Sequence, residues 1–124
     1  MEVPILKQGF YLIASIQSAL TDEDLSQLRE ALVERVGRLR ARGVIVDVTA
    51  LDVMDSFATR TLRGVAETVR LRGAQAVVVG IQPEVAMAMV QLGLTLGGVA
   101  TALDLEQGLE ILSDLMAEGR LGDR

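Results

Sequence analysis

Three carboxylates and a serine lie close together in the segment VIVDVTALDVMDSFATR, residues 44–60. Asp47 follows an apolar run, and Asp52, Asp55 and Ser56 come shortly after it. Carboxylate oxygens are typical ligands of magnesium, and an aspartate can also accept a phosphoryl group. A serine can act as a nucleophile, cap a helix or carry a phosphate. Each of these chemistries requires particular partners elsewhere in the sequence.

The carboxylates lack the partners that an enzyme of this type needs. A receiver-like phosphoacceptor requires a lysine from a later strand, and the one lysine of this chain is Lys7, in the first predicted strand. Haloacid-dehalogenase chemistry requires a lysine and a pair of aspartates two residues apart. Asp47 is followed two residues later by Thr49, so this aspartate pair is absent. A metal-dependent phosphotransfer domain using Asp47, Asp52 and Asp55 is therefore the remote alternative.

Ser56 likewise lacks the partners of a nucleophilic serine. The chain has no histidine and no cysteine, and Ser56 does not stand in a Gly-x-Ser-x-Gly elbow. Serine is one of the best helix N-caps, and a helical pattern begins here. A phosphate on the first turn of a helix would also be tolerated, because free backbone N–H groups and the helix dipole favour an anion. Two interpretations stay open: a helix cap and a phosphate acceptor.

The bulk composition predicts one ordinary domain. A chain of 124 residues, half of them apolar, can bury a single core, which we expect over residues 1–118 with a frayed tail at 119–124. No segment has the length and hydropathy of a membrane span or a secretion signal, so we expect a soluble, cytoplasmic protein. The net charge of -5 disfavours a nucleic-acid partner.

Helical patterns alternate with short β-rich runs along the whole chain. Helices are predicted to start at Thr21, at Asp55 or Ser56, at Pro83 and at Asp104, which gives at least four. The third helix carries Val85, Met89, Val90 and Leu92 as apolar residues. Glycine follows each helical stretch and is predicted to be the residue just beyond the helix end, at Gly43, Gly73, Gly93 and Gly119.

The strands are predicted in VPILK, FYLIASI, GVIVDV, AQAVVVGI and GVATAL. A tight turn at Gln8-Gly9 joins the first two into an antiparallel hairpin, with the first strand at the edge of the sheet because it contains Pro4. Crossover helices then imply parallel pairing. The predicted fold is α/β, with a mixed sheet of four or five strands. Three loops should meet at the carboxyl ends of its parallel strands: 49–55, 81–82 and the turn at Asp104.

The segment DVTALDVMDSFATR resembles the signature of STAS domains, the sulphate-transporter and anti-sigma-factor-antagonist family. Three further segments, VPILKQGFYLIASIQSALTD, GIQPEVAMAMVQLG and TALDLEQGLEIL, resemble STAS proteins of bacterial stressosomes, so the likeness extends from Val3 to about Leu112. Sensory members of that assembly carry a separate N-terminal domain before their STAS domain. We expect none here, and therefore a scaffold rather than a sensor.

The resemblance implies which residues take part in function. In the bacterial switch members of this family, an Asp-Ser pair between the third strand and the second helix carries the phosphorylated serine. The pair corresponds here to Asp55 and Ser56, whereas Thr59 and Thr61 lie on the same helix but off that motif position. The implied partner or kinase contacts are Asp52, Asp55, Phe57, Thr59, Ile81 and Gln82.

The resemblance also implies a non-enzymatic function with no metal and no cofactor. Such a scaffold assembles with itself and with sensor STAS paralogues, holds a serine kinase and releases it when Ser56 is phosphorylated, and a phosphatase resets it. It needs neither a nucleic acid nor a membrane. The alternative within the same family is a free anti-sigma-factor antagonist that binds an anti-sigma kinase directly.

Overall fold

The sheet and its helices follow the order that the sequence predicts. The computed structural model describes residues 3–122. Within that range the chain forms five strands and four helices: β1 (Ile5–Gln8), β2 (Tyr11–Ser15), α1 (Asp22–Leu39), β3 (Gly43–Asp47), α2 (Ser56–Leu71), β4 (Gln75–Val79), α3 (Pro83–Gln91), β5 (Ala100–Ala102) and α4 (Leu105–Gly122). The strand order is β1-β2-β3-β4-β5, with β1 antiparallel to β2 and each later pair parallel. The α/β class and the mixed sheet are confirmed.

The first two strands form the predicted hairpin, with its turn displaced by one residue. Gln8 pairs with Tyr11, so the two turn residues are Gly9 and Phe10 rather than Gln8 and Gly9. Gly9 has a φ of 59°, and a glycine with positive φ at the first turn position matches the right-handed twist of the two strands. The hairpin therefore places β1 at the edge of the sheet.

The core has two layers, one on each face of the sheet. Alternate residues of a strand point to opposite faces, so Val44 and Val46 of β3 face one layer while Ile45 faces the other. The larger layer packs α1, α2 and α3 on the sheet. In the part of the chain that the structure describes, α4 is the one helix on the opposite face, where Leu112 is fully buried.

Three of the predicted helix starts have the expected capping groups. Thr21 and Asp24 form a capping box: the Asp24 N–H donates to Thr21 Oγ1 at 3.0 Å, and the Thr21 N–H donates to Asp24 Oδ2 at 3.1 Å. Pro83 is at the start of α3. Asp104 accepts from the Gln107 N–H at 2.9 Å at the start of α4. The sequence signals for these three helix starts are therefore confirmed.

Two of the four predicted helix ends are wrong. Gly73 and Gly93 follow the C-caps of α2 and α3 with positive φ, as expected. Gly43 instead opens β3, where it pairs with Tyr11. A Cβ at this position would lie 2.7 Å from Leu112 Cδ1 and 2.9 Å from Tyr11 Cδ1, so the close packing here requires glycine. The α1 helix ends earlier, and Arg40 takes the left-handed conformation at its C-cap with a φ of 52°.

The fourth predicted end, Gly119, lies inside α4, which continues to Gly122. The predicted frayed tail comprises residues 119–124, of which 123–124 lie outside the described range. The domain limit at residue 118 stays a prediction. Over the described residues, no helix is long and apolar enough to span a membrane.

Candidate functional site

The carboxyl ends of β3, β4 and β5 lie at one edge of the sheet, where two loops are joined directly. Gln82, just before α3, donates from Nε2 to the backbone oxygen of Thr49 at 2.7 Å. The Gly80 N–H donates to the backbone oxygen of Ala102 at 3.0 Å, which ties the end of β4 to the end of β5. Asp104 follows that strand end. The predicted meeting of the loops at 49–55, 81–82 and Asp104 is therefore found at this edge.

Asp47 and Thr49 form a compact turn at the start of the β3–α2 loop. Asp47 Oδ1 accepts from the Thr49 N–H at 2.9 Å and from Thr49 Oγ1 at 2.6 Å. Gly80, with a φ of 82°, packs against this turn so closely that any Cβ there would collide with Thr49 Oγ1. Asp47 therefore fixes the path of the loop that leads to Ser56.

The three aspartates of the motif do not converge on one point. Asp47 is held in its turn, Asp55 caps α2, and Asp52 is exposed between them. Over residues 3–122, no group of three or more carboxylate or other ligating side chains is close enough to hold a metal ion. The geometry that the remote alternative of metal-dependent phosphotransfer requires is therefore not found among these residues.

Asp55, not Ser56, is the N-cap of α2. The Asp55 backbone is extended, and its Oδ1 accepts from the Ala58 N–H at 2.8 Å. Ser56 is the first helical residue, and its side chain is exposed. The interpretation of Ser56 as the helix cap is therefore wrong, because the carboxylate one residue earlier already satisfies the backbone donor that a cap would take.

This division of roles predicts different stability effects at the two positions. Asp55→Ala should lower the free energy of unfolding by about 0.5–2 kcal/mol, because the Ala58 N–H loses its acceptor. Ser56→Ala should change it by less than about 0.5 kcal/mol, because the side chain is exposed and has no hydrogen bond to the residues that the structure describes. Urea denaturation of both variants measures the difference. Equal losses in the two variants would contradict the assignment of the cap to Asp55.

The other predicted contact residues differ in their accessibility. Asp52 and Asp55 are exposed, and Phe57, Ile81 and Gln82 are half-buried. Thr59 is only 2% exposed, and its Oγ1 donates to the backbone oxygen of Asp55 at 2.8 Å. Its side chain therefore lies under the helix rather than on the surface that a partner would meet.

Thr61, the other threonine that lies on α2 but off the motif position, is 6% exposed. Its side chain and that of Thr59 both lie on the face of α2 that packs inward. Neither hydroxyl is therefore accessible at the surface, whereas the side chain of Ser56 is exposed.

Val53 is an exposed apolar residue that the sequence analysis did not identify. It lies between Asp52 and Asp55 and is 71% exposed. It borders a cleft of about 120 Å³ together with Leu20, Leu25 and Ala58. Small-molecule sites usually measure about 300 Å³ or more, so this cleft suits contact with a protein surface better than a bound metabolite. No local sequence signal distinguishes such a residue from a buried one.

A five-stranded mixed sheet, one helix opposite three, and an Asp-Ser pair at the start of α2 define a STAS domain. The family model for the STAS domain matches residues 3–104, and the chain belongs to this family. Among solved structures it is similar to a serine-to-glutamate variant of Moorella thermoacetica RsbS, with a TM-score of 0.80 and 36% identity over 94% of this chain and 99% of the other.

Two further comparisons lead to the same group of proteins. A chain from a structure described as the molecular architecture of the stressosome, a signal integration and transduction hub, matches with a TM-score of 0.74 and 37% identity, covering 91% of this chain and 98% of that one. The RsbT co-antagonist protein RsbRA of Bacillus subtilis (strain 168) is 30% identical over 98 residues, which is 79% of this chain. The present chain spans 36% of the length of RsbRA.

Proposed function

We propose that this protein is a non-enzymatic scaffold of a stressosome-type assembly and that phosphorylation of Ser56 switches it. The observation that carries the proposal is the exposed side chain of Ser56 on the first residue of α2, next to a cap that Asp55 already supplies. The similarity to RsbS and to a chain of a stressosome structure, each over more than nine-tenths of this chain, supports the assembly.

Phosphorylation at Ser56 would leave the fold intact for a physical reason. The kinase would join Ser56 Oγ to the γ-phosphorus of ATP, with the hydroxyl proton passing to a base of the kinase and ADP leaving. No capping bond is lost, because that bond belongs to Asp55. The first-turn N–H groups and the helix dipole favour the added anion. The phosphate would therefore act on partners rather than on folding.

The proposed partners are sensor STAS paralogues, a serine kinase and a phosphatase. RsbRA, a relative of this chain, is named as a co-antagonist of RsbT, and we propose that this chain assembles with itself and with proteins of that type in the cytoplasm. A kinase held near Asp52, Asp55, Phe57, Ile81 and Gln82 would then be released on phosphorylation. Between a phosphate and acidic groups of a partner, like charges in close contact can cost several kcal/mol.

Labelling by the cognate kinase with Mg-ATP tests the site. The parent protein should gain one phosphoryl group, and Ser56→Ala should gain none, because the acceptor oxygen is absent. Intact-mass measurement and peptide mapping report both results. Ser113→Ala is the matched control, since it removes another exposed serine, on α4, and should be labelled fully.

The site assignment is wrong if Ser56→Ala is labelled as fully as the parent, or if the phosphate maps to another residue.

The size of the assembly distinguishes the scaffold from the free anti-sigma-factor antagonist. A particle in the megadalton range with sensor paralogues supports the scaffold, whereas a small complex with one kinase supports the antagonist.

A further inference from the structure

The outer face of α2 carries a short stripe of polar and charged residues that starts at Ser56. Arg60 lies one helical turn after Ser56 and Arg63 nearly one turn later, so the three share a side of the helix. Ser56 and Arg60 are both exposed. Thr59, Leu62 and other residues of α2 that face the core are buried. The nearest cation that follows Ser56 on its own face is therefore Arg60.

Arg60 and Arg63 differ in what they already bind. Arg63 donates from Nη1 to the backbone oxygen of Thr95 at 3.0 Å, and its Cδ would lie 3.2 Å from a Cβ at Gly97, so it fastens α2 to the α3–β5 loop. Arg60 has no hydrogen bond or ion pair with any residue that the structure describes. Long side chains on a helix lean toward its N-terminus, so Arg60 covers the turn that begins at Ser56.

We infer that Arg60 binds the phosphoryl group carried by Ser56. The inference rests on the proposed phosphorylation of Ser56 and adds the residue that receives the phosphate. A guanidinium fork matches two phosphate oxygens, and a negative residue four positions before a positive one is the favourable order on a helix. Asp52 and Asp55 are the neighbouring charges that repel the phosphate, and Arg60 offsets them.

Pairing with Arg60 gives phosphorylation two effects on the surface. It adds a phosphate beside Asp52 and Asp55, and it also withdraws the free guanidinium of Arg60 from any partner carboxylate. Both changes act in the same direction on an acidic partner surface, because one adds repulsion and the other removes attraction.

Titration of a protein that carries phosphoserine at position 56 tests this pairing without a kinase. The phosphoserine is installed during synthesis by an expanded genetic code, and ³¹P NMR follows its second ionisation, which is normally near pH 6. The Arg60 cation favours the doubly charged phosphate and holds its pKa down. Arg60→Gln should therefore raise that pKa by about 0.2–0.4.

Two further variants make the result specific. Arg70→Gln removes another exposed arginine of α2, 14 residues after Ser56, and should leave the phosphate pKa within about 0.1 of the parent value because solvent and salt screen charges at that distance. Arg60→Lys should give an intermediate pKa, because an ammonium keeps the charge but not the fork. Circular dichroism of each variant should match the parent.

The inference is overturned if Arg60→Gln moves the phosphate pKa no more than Arg70→Gln does. Failure of the proposed function looks different. If the cognate kinase does not label Ser56, the switch is wrong, while the titration of the installed phosphoserine still reports whether Arg60 binds a phosphate at that position.

Discussion

Replacing Leu112 by alanine is expected to lower the free energy of unfolding by about 2–5 kcal/mol. Leu112 is fully buried on the sheet side of α4, in one cluster with Ile13, Ile45, Val77 and Val79. Over residues 3–122 no second helix covers this face, so few neighbouring side chains can move in to fill the space. The loss should therefore lie in the upper part of that range, and urea denaturation measures it.

Glu110→Ala is the matched control on the same helix. Glu110 is exposed, and its removal should change the free energy of unfolding by less than about 0.5 kcal/mol. Hydrogen exchange adds a local measurement, because α4 should lose protection before the strands do in Leu112→Ala. A loss at Leu112 no greater than that at Glu110 would show that α4 contributes little to the fold.

Gly80→Ala should lower the free energy of unfolding by roughly 2–3 kcal/mol, from a strained backbone and a lost side-chain hydrogen bond. Gly80 has a φ of 82°, where any residue with a Cβ is disfavoured. The new methyl group would also collide with Thr49 Oγ1 and lie 3.2 Å from Asp47 Oδ1. Thermal or urea unfolding measures the change.

Two further variants test whether the loss in Gly80→Ala comes from the positive φ and the contact with Thr49. Gly64 lies within α2 with open space around it, so Gly64→Ala should raise the free energy of unfolding by about 0.5–1 kcal/mol. Adding Thr49→Ala to Gly80→Ala removes the colliding oxygen and should cost less than the sum of the two single changes. Strict additivity would mean that the Thr49 contact contributes nothing to the effect.

The order of the elements could be predicted because it depends on local patterns. The capping box at Thr21, the proline that opens α3 and the apolar runs of the strands are short-range signals, and each appears in the structure. Gly43 could not be predicted in the same way. Its place in β3 depends on Leu112 and Tyr11, which lie against it only after the chain has folded.

The start of α3 was easier to predict from the sequence than which of its apolar side chains are buried. Val85 and Met89 of α3 are buried, but Val90 and Leu92 are 76% and 71% exposed. The apolar residues of α3 and its C-cap form a wider face than the described part of the fold covers. The extent of that cover depends on the neighbours of α3, so the sequence of the helix alone does not predict it.

The sequence predicted that a helix begins at Asp55 or Ser56, but not which of the two residues caps it. Asp55 and Ser56 are both good N-caps, and local propensity does not choose between two adjacent caps. The backbone decides, because only Asp55 has the extended conformation that aims its side chain at the Ala58 N–H. The burial of Thr59 could not be predicted either, because it depends on the rotation of α2 against the sheet.

The cap of α2 and the proposed phosphate acceptor are two adjacent residues, and this separation has a consequence for the lifetime of the protein. Degradation of a folded domain generally follows the small fraction of molecules that are open at any moment, which is set by stability. Because Asp55 keeps its bond to Ala58 whatever group Ser56 carries, and the helix dipole and Arg60 favour a phosphate, the modified molecules should open no more often than the unmodified ones. Under the proposed switch, a cell could then cycle Ser56 many times without losing more of the protein to degradation in the phosphorylated state.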